Sequence, residues 1–424
     1  MQLFEKLIDH REAGRLVVEN TKRLPASNVP LEDAQGLALA EDLKARFDSP
    51  PFDNSAVDGY AVRSADVREG HVFKVVDEAP AGRPAQRSVG EGEAVKIFTG
   101  GVVPEGADAV VMVENTSGWG EEFELKKAAT PGQNIRRSGE DVREGDVILQ
   151  AGTEVGPPEI ALAATQGYGE LPVYRRPRVV ALSTGTELVA PGERDLEPGE
   201  IYDSNSFAIV AQAREAGAEA RRIAAATDES DALRVAVREA LESADVVVTS
   251  GGVSVGEKDL VKGTMTDLGV EQVFWGVKFK PGKPLFFGVR DDASVFGLPG
   301  NPVSAMVCFD LFVRPALMQI MGREDTKRPR IEVYFDQDIQ NRFGRLHAMR
   351  VSLQRTEKGW RAQSVGAQGS GIVSSLTKAD ALALIGPESE VRAGDYVEAI
   401  VLREGVLGGR QGPESGRRMV ESRG

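Results

Sequence analysis

The stretch "VVVTSGGVSVGEKDL" (246–260) joins a short apolar run to a loop with three glycines. A short apolar run bounded by turn residues is typical of a strand buried in a sheet. Glycine lets another group come close to the main chain, and Asp259 ends the loop with a carboxylate. The stretch therefore predicts a buried strand, a loop that a ligand could approach, and a helix that follows.

The surrounding segment, residues 177–322, alternates strand-like and helix-like runs. Apolar runs such as "PRVVALS", "RRIAAAT", "DVVVTS", "PLFFGV" and "SVFGLP" are interspersed with amphipathic ones such as "DALRVAVREALESA". The helix-like runs include 206–220 and a long apolar one at 301–322. This alternation predicts a mostly parallel sheet covered by helices on both faces.

Two other regions are β-rich. Residues 46–142 carry the runs "HVFKVV", "AVKIFTG" and "DAVVMVENT" between glycine and proline turns. After Pro329, the runs "RIEVYF", "AMRVSLQR" and "DYVEAIVL" predict a small all-β unit. An amphipathic helix or helix pair is predicted within residues 1–24, and a short helix in 159–171 that ends at Gly167.

Composition excludes several classes of protein. Lys plus Arg number 51 and Asp plus Glu 65 in 424 residues, so the formal net charge is -14. This balance argues against a general nucleic-acid or anionic-membrane binder, because both need an extensive basic surface. No uninterrupted apolar span approaches the ~20 residues of a membrane helix, so the cytoplasm is the expected location.

Cysteine and histidine are too scarce for several kinds of site. The single cysteine, Cys308, excludes an intramolecular disulfide and a Cys-rich zinc site, and its apolar surroundings predict a core residue. With only His10, His71 and His347, the sequence does not favour a histidine-built metal site or a Ser-His-Asp triad.

Four polar loops follow strands of the predicted sheet. They are "STGTE" (183–187), "TD" (227–228), "TSGGVSVGEKD" (249–259) and "LPGNPVS" (298–304). In an open α/β sheet, ligands bind in the crevice outside the carboxyl ends of the strands. Backbone N–H groups and helix N-termini in such a crevice suit phosphate, so we predict an anion-binding site there.

Three carboxylates, Glu187, Asp228 and Asp259, fall in these loops. Next to a phosphate they would repel the ligand unless a cation lay between them. A hard divalent cation such as Mg²⁺ is held by a few carboxylates together with substrate phosphates. The sequence therefore predicts Mg²⁺, or a similar divalent cation, with these three residues as ligands.

Each of these features also has a structural explanation. Asp228 could be a helix N-cap, and Asn301 followed by Pro302 is also a typical helix start. Gly251 and Gly252 could serve only the close packing of a strand against a helix. The coincidence of four such loops at one sheet edge favours the ligand site.

Three more polar segments stand outside these loops. "KFKPGKP" (278–284) is either an anion clamp or a solvated basic turn. "NIRRSGED" (134–141) could be only a surface ion-pair cluster. "FDNSAVDGYAV" (52–62) concentrates hydrogen-bond acceptors and predicts a second ligand-facing surface, although a polar turn would have the same composition.

Together the motifs resemble one known family. "PPFDNSAVDGYAVR", "FTGGVVPEGADAVVMVE", "NIRRSGEDV", "STGTELV" with "IYDSNS", "VVVTSGGVSVGEKD", "KPGKPL" and "GLPGNPVSA" occur in the order seen in molybdopterin molybdenumtransferases, the MoeA and gephyrin E-domain family. The resemblance runs from about residue 3 to residue 403. It covers nearly the whole chain, and several of the motifs are long.

The resemblance implies a multidomain subunit of α/β plus β class. The expected parts are a doubly wound, mostly parallel α/β domain (1–26 and 177–327), a small linking domain (27–45 and 143–176), a β-rich insert domain (46–142), a C-terminal β domain (328–404) and a disordered tail (405–424). It also implies a homodimer in which the insert domain of one subunit faces the α/β crevice of the other.

The implied reaction inserts molybdate into adenylylated molybdopterin and releases AMP and molybdenum cofactor, with Mg²⁺ or a similar divalent cation. The implied partners are these two substrates, a second copy of the chain, the molybdopterin adenylyltransferase and molybdenum enzymes. Neither nucleic acid nor a membrane is an expected partner. Because no histidine lies near the motifs in sequence, water or a carboxylate is expected to handle protons.

Matching positions assign the site residues that the resemblance implies. The catalytic positions are Asp58, Thr99, Arg136, Asp141, Glu187, Asp228 and Asp259, of which the last three are also the metal ligands. The substrate-binding positions are Ser250, Gly251, Gly252, Ser254, Lys280, Lys283, Pro299, Asn301, Ser304 and Ser370. Thr186 departs from the family pattern, which usually has Asp or Asn there, so residue 186 is not expected to be a ligand.

Two other functions stay open at this point. A sister family that adenylylates the pterin shares the α/β domain and its glycine-rich loop, and the two β-rich domains favour the molybdenum-inserting enzyme over it. A gephyrin-type receptor-clustering scaffold is the third function, but the sequence has no long linker or extra partner-binding domain. Molybdate and tungstate are not distinguished.

Overall fold

The computed structural model describes residues 7–226, 230–252, 260–323 and 327–408. The chain forms two compact units. Unit 1 comprises Met1–Ser27, Gly36–Ala38 and Tyr174–Gly424, and unit 2 comprises Asn28–Gln35 and Leu39–Val173. The expected division into four domains is finer than this and stays a prediction, as does the disordered tail, most of which lies outside the described residues.

The helices include every helix that the sequence predicts within the described ranges. They are α1 (His10–Asn20), α2 (Pro157–Thr165), α3 (Asn205–Glu215), α4 (Ser230–Ser243), α5 (Leu260–Asp267), α6 (Pro302–Cys308), α7 (Arg314–Ile320) and the short α8 (Ser374–Thr377). The helix expected in 206–220 ends early, at Glu215, because Gly217 has a φ of +92° and a strand begins at Glu219.

A π-helical segment, Phe309–Val313, joins α6 to α7. The resulting run Pro302–Ile320 has the length and apolar composition of a membrane span, but 72% of it is buried inside the fold. Cys308 lies in this run with no exposed surface, as expected of a core residue, and burial raises the pKa of its thiol to about 12. The run is therefore a core helix of unit 1.

The first twelve described strands lie in unit 2, except that the first, second and twelfth each include one or two residues of unit 1. They are β1 (Ala26–Pro30), β2 (Ala38–Leu39), β3 (Leu43–Lys44), β4 (Asn54–Ser55), β5 (Gly59–Val62), β6 (Val72–Ala79), β7 (Glu93–Ile97), β8 (Ala109–Met112), β9 (Glu122–Glu124), β10 (Ile135–Arg136), β11 (Val147–Leu149) and β12 (Glu170–Tyr174). Five of them form a sheet in the order β8-β5-β7-β6-β9. Phe73, Phe123 and the fully buried Tyr60 pack together on this sheet.

Unit 1 carries the remaining described strands. They are β13 (Arg178–Thr184), β14 (Leu188–Val189), β15 (Ile201–Tyr202), β16 (Glu219–Ala226), β17 (Val246–Ser250), β18 (Glu271–Trp275), β19 (Phe279–Lys280), β20 (Phe286–Arg290), β21 (Ala293–Leu298), β22 (Arg330–Tyr334), β23 (Ile339–Asn341), β24 (Leu346–Thr356), β25 (Gly359–Ser364), β26 (Ala381–Ile385), β27 (Ser389–Val391) and β28 (Tyr396–Val401).

The central sheet of unit 1 has the order β16-β13-β17-β21-β20-β18. Strands β16, β13, β17 and β21 pair in parallel, so their carboxyl ends lie at one edge. Strand β20 runs antiparallel to its neighbours, because a tight turn at Asp291 and Asp292 connects it to β21, with Asp291 at a φ of 54°. The expected mostly parallel α/β sheet is confirmed.

Two hydrophobic cores cover the central sheet, one on each face. Val179 and Ala181 of β13 pack with α1, α3 and the run Pro302–Ile320, whereas Val180 and Leu182 pack with α4 and α5. The alternation of neighbouring side chains between two apolar cores explains why β13 is apolar along its length.

A second six-stranded sheet follows the order β19-β24-β25-β22-β28-β26, and β26 also pairs with β24. Strands β24, β25, β22, β28 and β26 therefore close into a small barrel with its own core. Strand β19 comes from the earlier "KFKPGKP" segment and pairs in parallel with β24, with Lys280 opposite His347. The sequence did not predict that this segment joins the barrel sheet.

Candidate functional site

The carboxyl edge of the central sheet holds a cleft of about 370 Å³. Its lining includes five residues that the sequence assigned to the site: Glu187, Ser250, Gly251, Gly252 and Pro299. Asn301 lies between the lining residues Gly300 and Pro302, and Ser304 is buried within α6. The structure thus brings together the described parts of three of the four predicted loops.

Asp228, Asp259 and Ser254 lie outside the described residues, and so does the loop "TD". Glu187 is exposed at the cleft. Within the described ranges, no group of three or more His, Cys, Asp or Glu side chains could hold a metal ion. The predicted carboxylate trio therefore stays a prediction.

Asp203, which was not among the predicted site residues, is a buried carboxylate that holds one wall of the cleft together by hydrogen bonds. Asp203 is 3% exposed; it accepts a hydrogen bond from Ser183 Oγ at 2.8 Å and another from the Ser206 hydroxyl. Arg222 Nη1 lies 4.0 Å from Asp203 Oδ2. These contacts hold the end of β13 against the start of α3.

Asn205 is a second missed residue, and it connects three strand-end loops. Its Nδ2 donates to Ser250 Oγ at 2.8 Å and to the Gly300 carbonyl at 2.7 Å. Both Asp203 and Asn205 belong to the polar run "YDSNS", directly after a short apolar pair and before a helix. A polar run between a strand and a helix is also what marks the four predicted loops. The same pattern could therefore have identified Asp203 and Asn205 as site residues.

Two oxygen atoms at the cleft are buried and have no hydrogen-bond partner among the described residues: Thr184 Oγ1 and Asn205 Oδ1. Together with the Glu187 carboxylate they form a set of oxygen donors. Such a set suits a hard divalent cation or a ligand with N–H or O–H donors. These residues carry the oxygen ligand types that Mg²⁺ takes, and the cation itself stays a prediction.

Gly251 and Gly252 have left-handed backbones, with φ of +93° and +65°. A Cβ on Gly251 would lie 2.6 Å from the Thr184 carbonyl oxygen, and one on Gly252 would lie 2.3 Å from Val261 Cγ2. Close packing of the loop against β13 and α5 is thus sufficient to explain both glycines. Ligand approach, the other explanation, is compatible with their position in the lining but is not needed.

The "KFKPGKP" segment borders the cleft through Pro284. Lys283 is half-buried, and its carbonyl accepts a hydrogen bond from Val277 N at 3.0 Å. Lys280 Nζ lies 3.4 Å from the centre of the Phe343 ring. Burial, together with the charges of Arg345 and Arg350, lowers the pKa of Lys280.

Arg350 has no exposed surface. Its Nη2 donates to the Gly369 carbonyl at 3.1 Å, but its Nε and Nη1 have no partner among the described residues. Burial lowers the pKa of this guanidinium. A buried guanidinium with two unpaired nitrogens is costly unless an anion binds to it.

Ser370 connects this basic region to the cleft. Its carbonyl accepts a hydrogen bond from Val303 N at 3.1 Å, one residue beyond Pro302 of the cleft lining. We call Lys280, Arg345, His347 and Arg350 the basic cluster. Of the expected substrate-binding residues, Lys280 belongs to this cluster, and Ser370 follows Gly369, which contacts Arg350.

Four of the expected site residues, Asp58, Thr99, Arg136 and Asp141, lie in unit 2. Thr99 donates to Asp58 Oδ1 from its N at 2.8 Å and from its Oγ1 at 2.9 Å, and both hydrogen bonds lower the pKa of Asp58. Strand β10 pairs with β4, which places Arg136 opposite Asn54. Asp141 is exposed, and its N donates to the Ser49 carbonyl at 3.0 Å.

The segment "NIRRSGED" forms an ion pair with a residue outside it, Asp53, rather than a cluster of its own. Arg137 Nη1 lies 2.5 Å from Asp53 Oδ2, and Ser138 N donates to the same carboxylate at 2.9 Å. Arg136 forms no ion pair with any described residue. The structure thus unites the segments 52–62 and 134–141, which the sequence treats as separate.

Three family models match the chain in order. They are the MoeA N-terminal region (domain I and II) at residues 8–167, the probable molybdopterin binding domain at 180–319 and the MoeA C-terminal region (domain IV) at 332–402. The matches cover nearly all of the chain that the motifs cover.

Curated relatives and solved structures agree with these matches. A molybdopterin molybdenumtransferase of Haemophilus influenzae is 38% identical over 374 residues, which is 87% of this chain and 91% of the relative. One of Bacillus subtilis is 38% identical over 405 residues, 93% of this chain and 94% of the relative. A moeA protein structure from Pyrococcus horikoshii has 32% identity and a TM-score of 0.76, and covers 93% of this chain and 100% of its own.

Proposed function

This chain belongs to the molybdopterin molybdenumtransferase family, a family of transferases in molybdenum cofactor biosynthesis, and on that premise we propose how its residues perform the reaction. The family and enzyme class expected from the sequence are confirmed. The proposed reaction inserts molybdate into adenylylated molybdopterin and releases AMP. Its substrates would be bound in the sheet-edge cleft and the adjoining basic cluster of unit 1.

The observation that carries this proposal is the contact between these two places. The Val303–Ser370 hydrogen bond joins the cleft to the loop whose Gly369 carbonyl holds Arg350. The cleft offers backbone N–H groups and side-chain oxygens at the carboxyl edge of the sheet. The basic cluster offers the unpaired nitrogens of Arg350. A substrate with a diphosphate and a second, tetrahedral oxyanion would meet the chemistry of both.

In the proposed arrangement, the diphosphate of the adenylylated pterin lies near the backbone of residues 250–252. Asn205 and Asp203 hold the loops that form this part of the cleft. Lys280 and Arg350 attract the oxyanion, since no described carboxylate forms an ion pair with either side chain. Tungstate would bind in the same way, because it has the same shape and charge.

Mg²⁺ belongs to the proposal as well. Glu187, together with Asp228 and Asp259, would hold the cation, and Thr184 Oγ1 is a further oxygen atom at the cleft. The cation would neutralise phosphate charge and stabilise the departing AMP. The residues of the chain keep the cleft walls in place around it.

We also propose that the active form is a cytoplasmic homodimer that exchanges substrate and product with the adenylyltransferase and with molybdenum enzymes. The sequence assigns Asp58, Thr99, Arg136 and Asp141 to the reaction, and all four lie in unit 2, whereas the cleft belongs to unit 1. A site that combines the two units of different subunits would explain both sets. Sedimentation of the purified chain measures the oligomeric state directly.

A coupled assay tests the proposed reaction. The protein is incubated with adenylylated molybdopterin and molybdate, with and without Mg²⁺, and AMP and molybdenum cofactor are quantified. We expect AMP release that depends on both molybdate and Mg²⁺. Pyrophosphate release from ATP and unmodified molybdopterin, without AMP release in the first assay, would instead identify an adenylyltransferase.

A further inference from the structure

His347 is a buried imidazole of the basic cluster to which neither the motifs nor the proposed reaction gives a role of its own. It lies on β24 directly opposite Lys280 of β19, although the two residues are far apart in sequence. The residue is 8% exposed, and its Nε2 has no hydrogen-bond partner among the described residues. The fold thus places a titratable group with a free ring nitrogen next to the lysine motif.

The charged groups that act on His347 are all cationic. Lys280 contributes from β19 and Arg350 from β24 itself, while Arg345 acts on Lys280. Strand β26, on the other side of β24, presents the apolar Ile385 opposite His347. Burial first, and then the charges of Lys280 and Arg350, lower the pKa of His347 to about 4. Near neutral pH the imidazole is therefore uncharged.

The basic cluster lacks a counter-charge. Lys280 and Arg350 form no ion pair with the described carboxylates, and Arg350 keeps two buried nitrogens without partners. A bound dianion would supply the missing charge. It would also oppose the charges of Lys280 and Arg350, which lower the pKa of His347 in the absence of an anion.

We propose that His347 takes up a proton when a tetrahedral dianion binds at the basic cluster, so that oxyanion binding is coupled to protonation of this imidazole. The proposal rests on the proposed function, in which the dianion is molybdate. The protonated ring would donate a hydrogen bond from the nitrogen that is now unpartnered. The proton comes from solvent and moves to the imidazole, and no other bond changes.

The coupling has a definite sign. Protonation of His347 favours dianion binding, so binding weakens as pH rises from about 4 towards the higher pKa of the complex. In that interval the dissociation constant rises by up to about tenfold per pH unit. Above the pKa of the complex, the pH no longer affects binding through this group.

Calorimetry of the full chain tests the coupling. Sulfate serves as the probe because it stays a dianion from pH ~5 to ~8, and molybdate is measured only near neutral pH, where it is a monomeric dianion. The titration is repeated in buffers of different ionisation enthalpy, which gives the number of protons taken up per anion. We expect uptake that approaches one proton for the natural chain.

The variant His347→Asn keeps a neutral N–H donor but does not titrate, so we expect it to bind the anions without proton uptake. Uptake that persists in this variant would assign the proton to another group, such as Lys280, and overturn the proposal. Binding to the natural chain at pH ~5 without proton uptake would also overturn it, while leaving the proposed function intact. A natural chain that binds neither anion would contradict both.

A second measurement avoids any question about whether the variant folds. The natural chain has only three histidines, so the imidazole resonances can be followed by NMR during a pH titration. We expect the His347 signal to titrate near pH 4 without anion and at a higher pH with sulfate. Equal titration midpoints with and without sulfate would contradict the proposal, provided that calorimetry shows binding.

Discussion

Asn205 donates its Nδ2 to Ser250 Oγ at 2.8 Å, and with the same nitrogen to the Gly300 carbonyl at 2.7 Å. One amide thereby connects the start of α3 with the ends of β17 and β21. Ser250 and Gly300 both line the proposed cleft. The Asn205 side chain therefore fixes the positions of two of its walls relative to each other.

The variant Asn205→Ala removes both hydrogen bonds. We expect the free energy of unfolding to fall by about 1 to 2 kcal/mol and KM for adenylylated molybdopterin to rise by about tenfold. Steady-state kinetics and denaturant unfolding measure the two effects. Asn20→Ala is the matched control, since Asn20 donates to the Leu16 carbonyl at the exposed end of α1 and should leave KM unchanged. An unchanged KM in Asn205→Ala would contradict a role in substrate binding.

The variant Gly252→Ala tests whether packing explains this glycine. The new Cβ would clash with Val261 Cγ2 in a backbone at positive φ, and we expect a loss of about 1 to 3 kcal/mol of unfolding free energy. Adding Val261→Ala removes the clashing methyl group and should make Gly252→Ala less destabilising in that background. Gly263→Ala is the control, because a Cβ there meets nothing within 4 Å.

A double-mutant cycle in thermal or denaturant unfolding decides between the two explanations of Gly252. If the cost of Gly252→Ala were the same with and without Val261, packing against α5 would not explain the glycine. A variant that keeps its stability but loses substrate binding would instead favour ligand approach.

Mixed dimers test the proposal that units 1 and 2 of different subunits share a site. We expect Asp58→Asn and Glu187→Gln each to reduce AMP release on the order of 10²-fold. A dimer with one subunit of each kind would have one site with both natural residues. Co-expression of differently tagged subunits should therefore restore up to half of the natural activity. If both residues acted within one subunit, the mixed dimer would stay inactive.

Acid stability is expected to depend on Asp245, away from the cleft at the other end of β17. Burial raises the pKa of this carboxyl, but hydrogen bonds from Arg175 at 2.7 Å and from Arg178 N at 2.7 Å outweigh it and bring the pKa to about 2. A carboxyl with a lowered pKa stabilises the fold above its unfolded pKa. That contribution is lost as the pH falls from about 4 to about 2.

The contribution of Asp245 amounts to about 2 kcal/mol at neutral pH. We expect Asp245→Asn to be less stable by a similar amount, with an unfolding free energy that changes less than that of the natural chain between pH ~4 and ~2. Denaturant unfolding at several pH values measures this. Asp292→Asn, at an exposed ion pair with Lys22, should keep the natural pH dependence. If the unfolding free energy of Asp245→Asn changed with pH as much as that of the natural chain, another group would be responsible for the acid sensitivity.

The sequence predicted the middle of the central sheet because β13 and β17 are apolar along most of their length, but it did not predict β18, which begins with the polar Glu271 and Gln272. Strands β13 and β17 are buried on both faces, and an apolar run of this kind is readable without tertiary information. The reversed direction of β20 was not predicted. It depends on the two-residue turn at Asp291, whose positive φ is a property of the backbone that periodicity does not report.

The site was predictable only in part, for a related reason. Gly251, Gly252 and Ser250 stand in a recognisable loop, and they do line the cleft. His347 stands in a strand with no motif of its own, and only the pairing of β24 with β19 places it beside Lys280. Contacts of this kind join distant segments, so a pattern read along the chain does not contain them.

The short strand β19 has a consequence for exchanging parts between relatives. Phe279 and Lys280 of β19 extend the barrel sheet by pairing with Leu346 and His347, and a complete helical run separates them from the barrel in the chain. A chimera cut at Pro329 would combine a barrel from one parent with a sheet-extending strand from another. A chimera that keeps the natural pairing of β19 with β24 must therefore take the "KFKPGKP" segment and the barrel from the same parent.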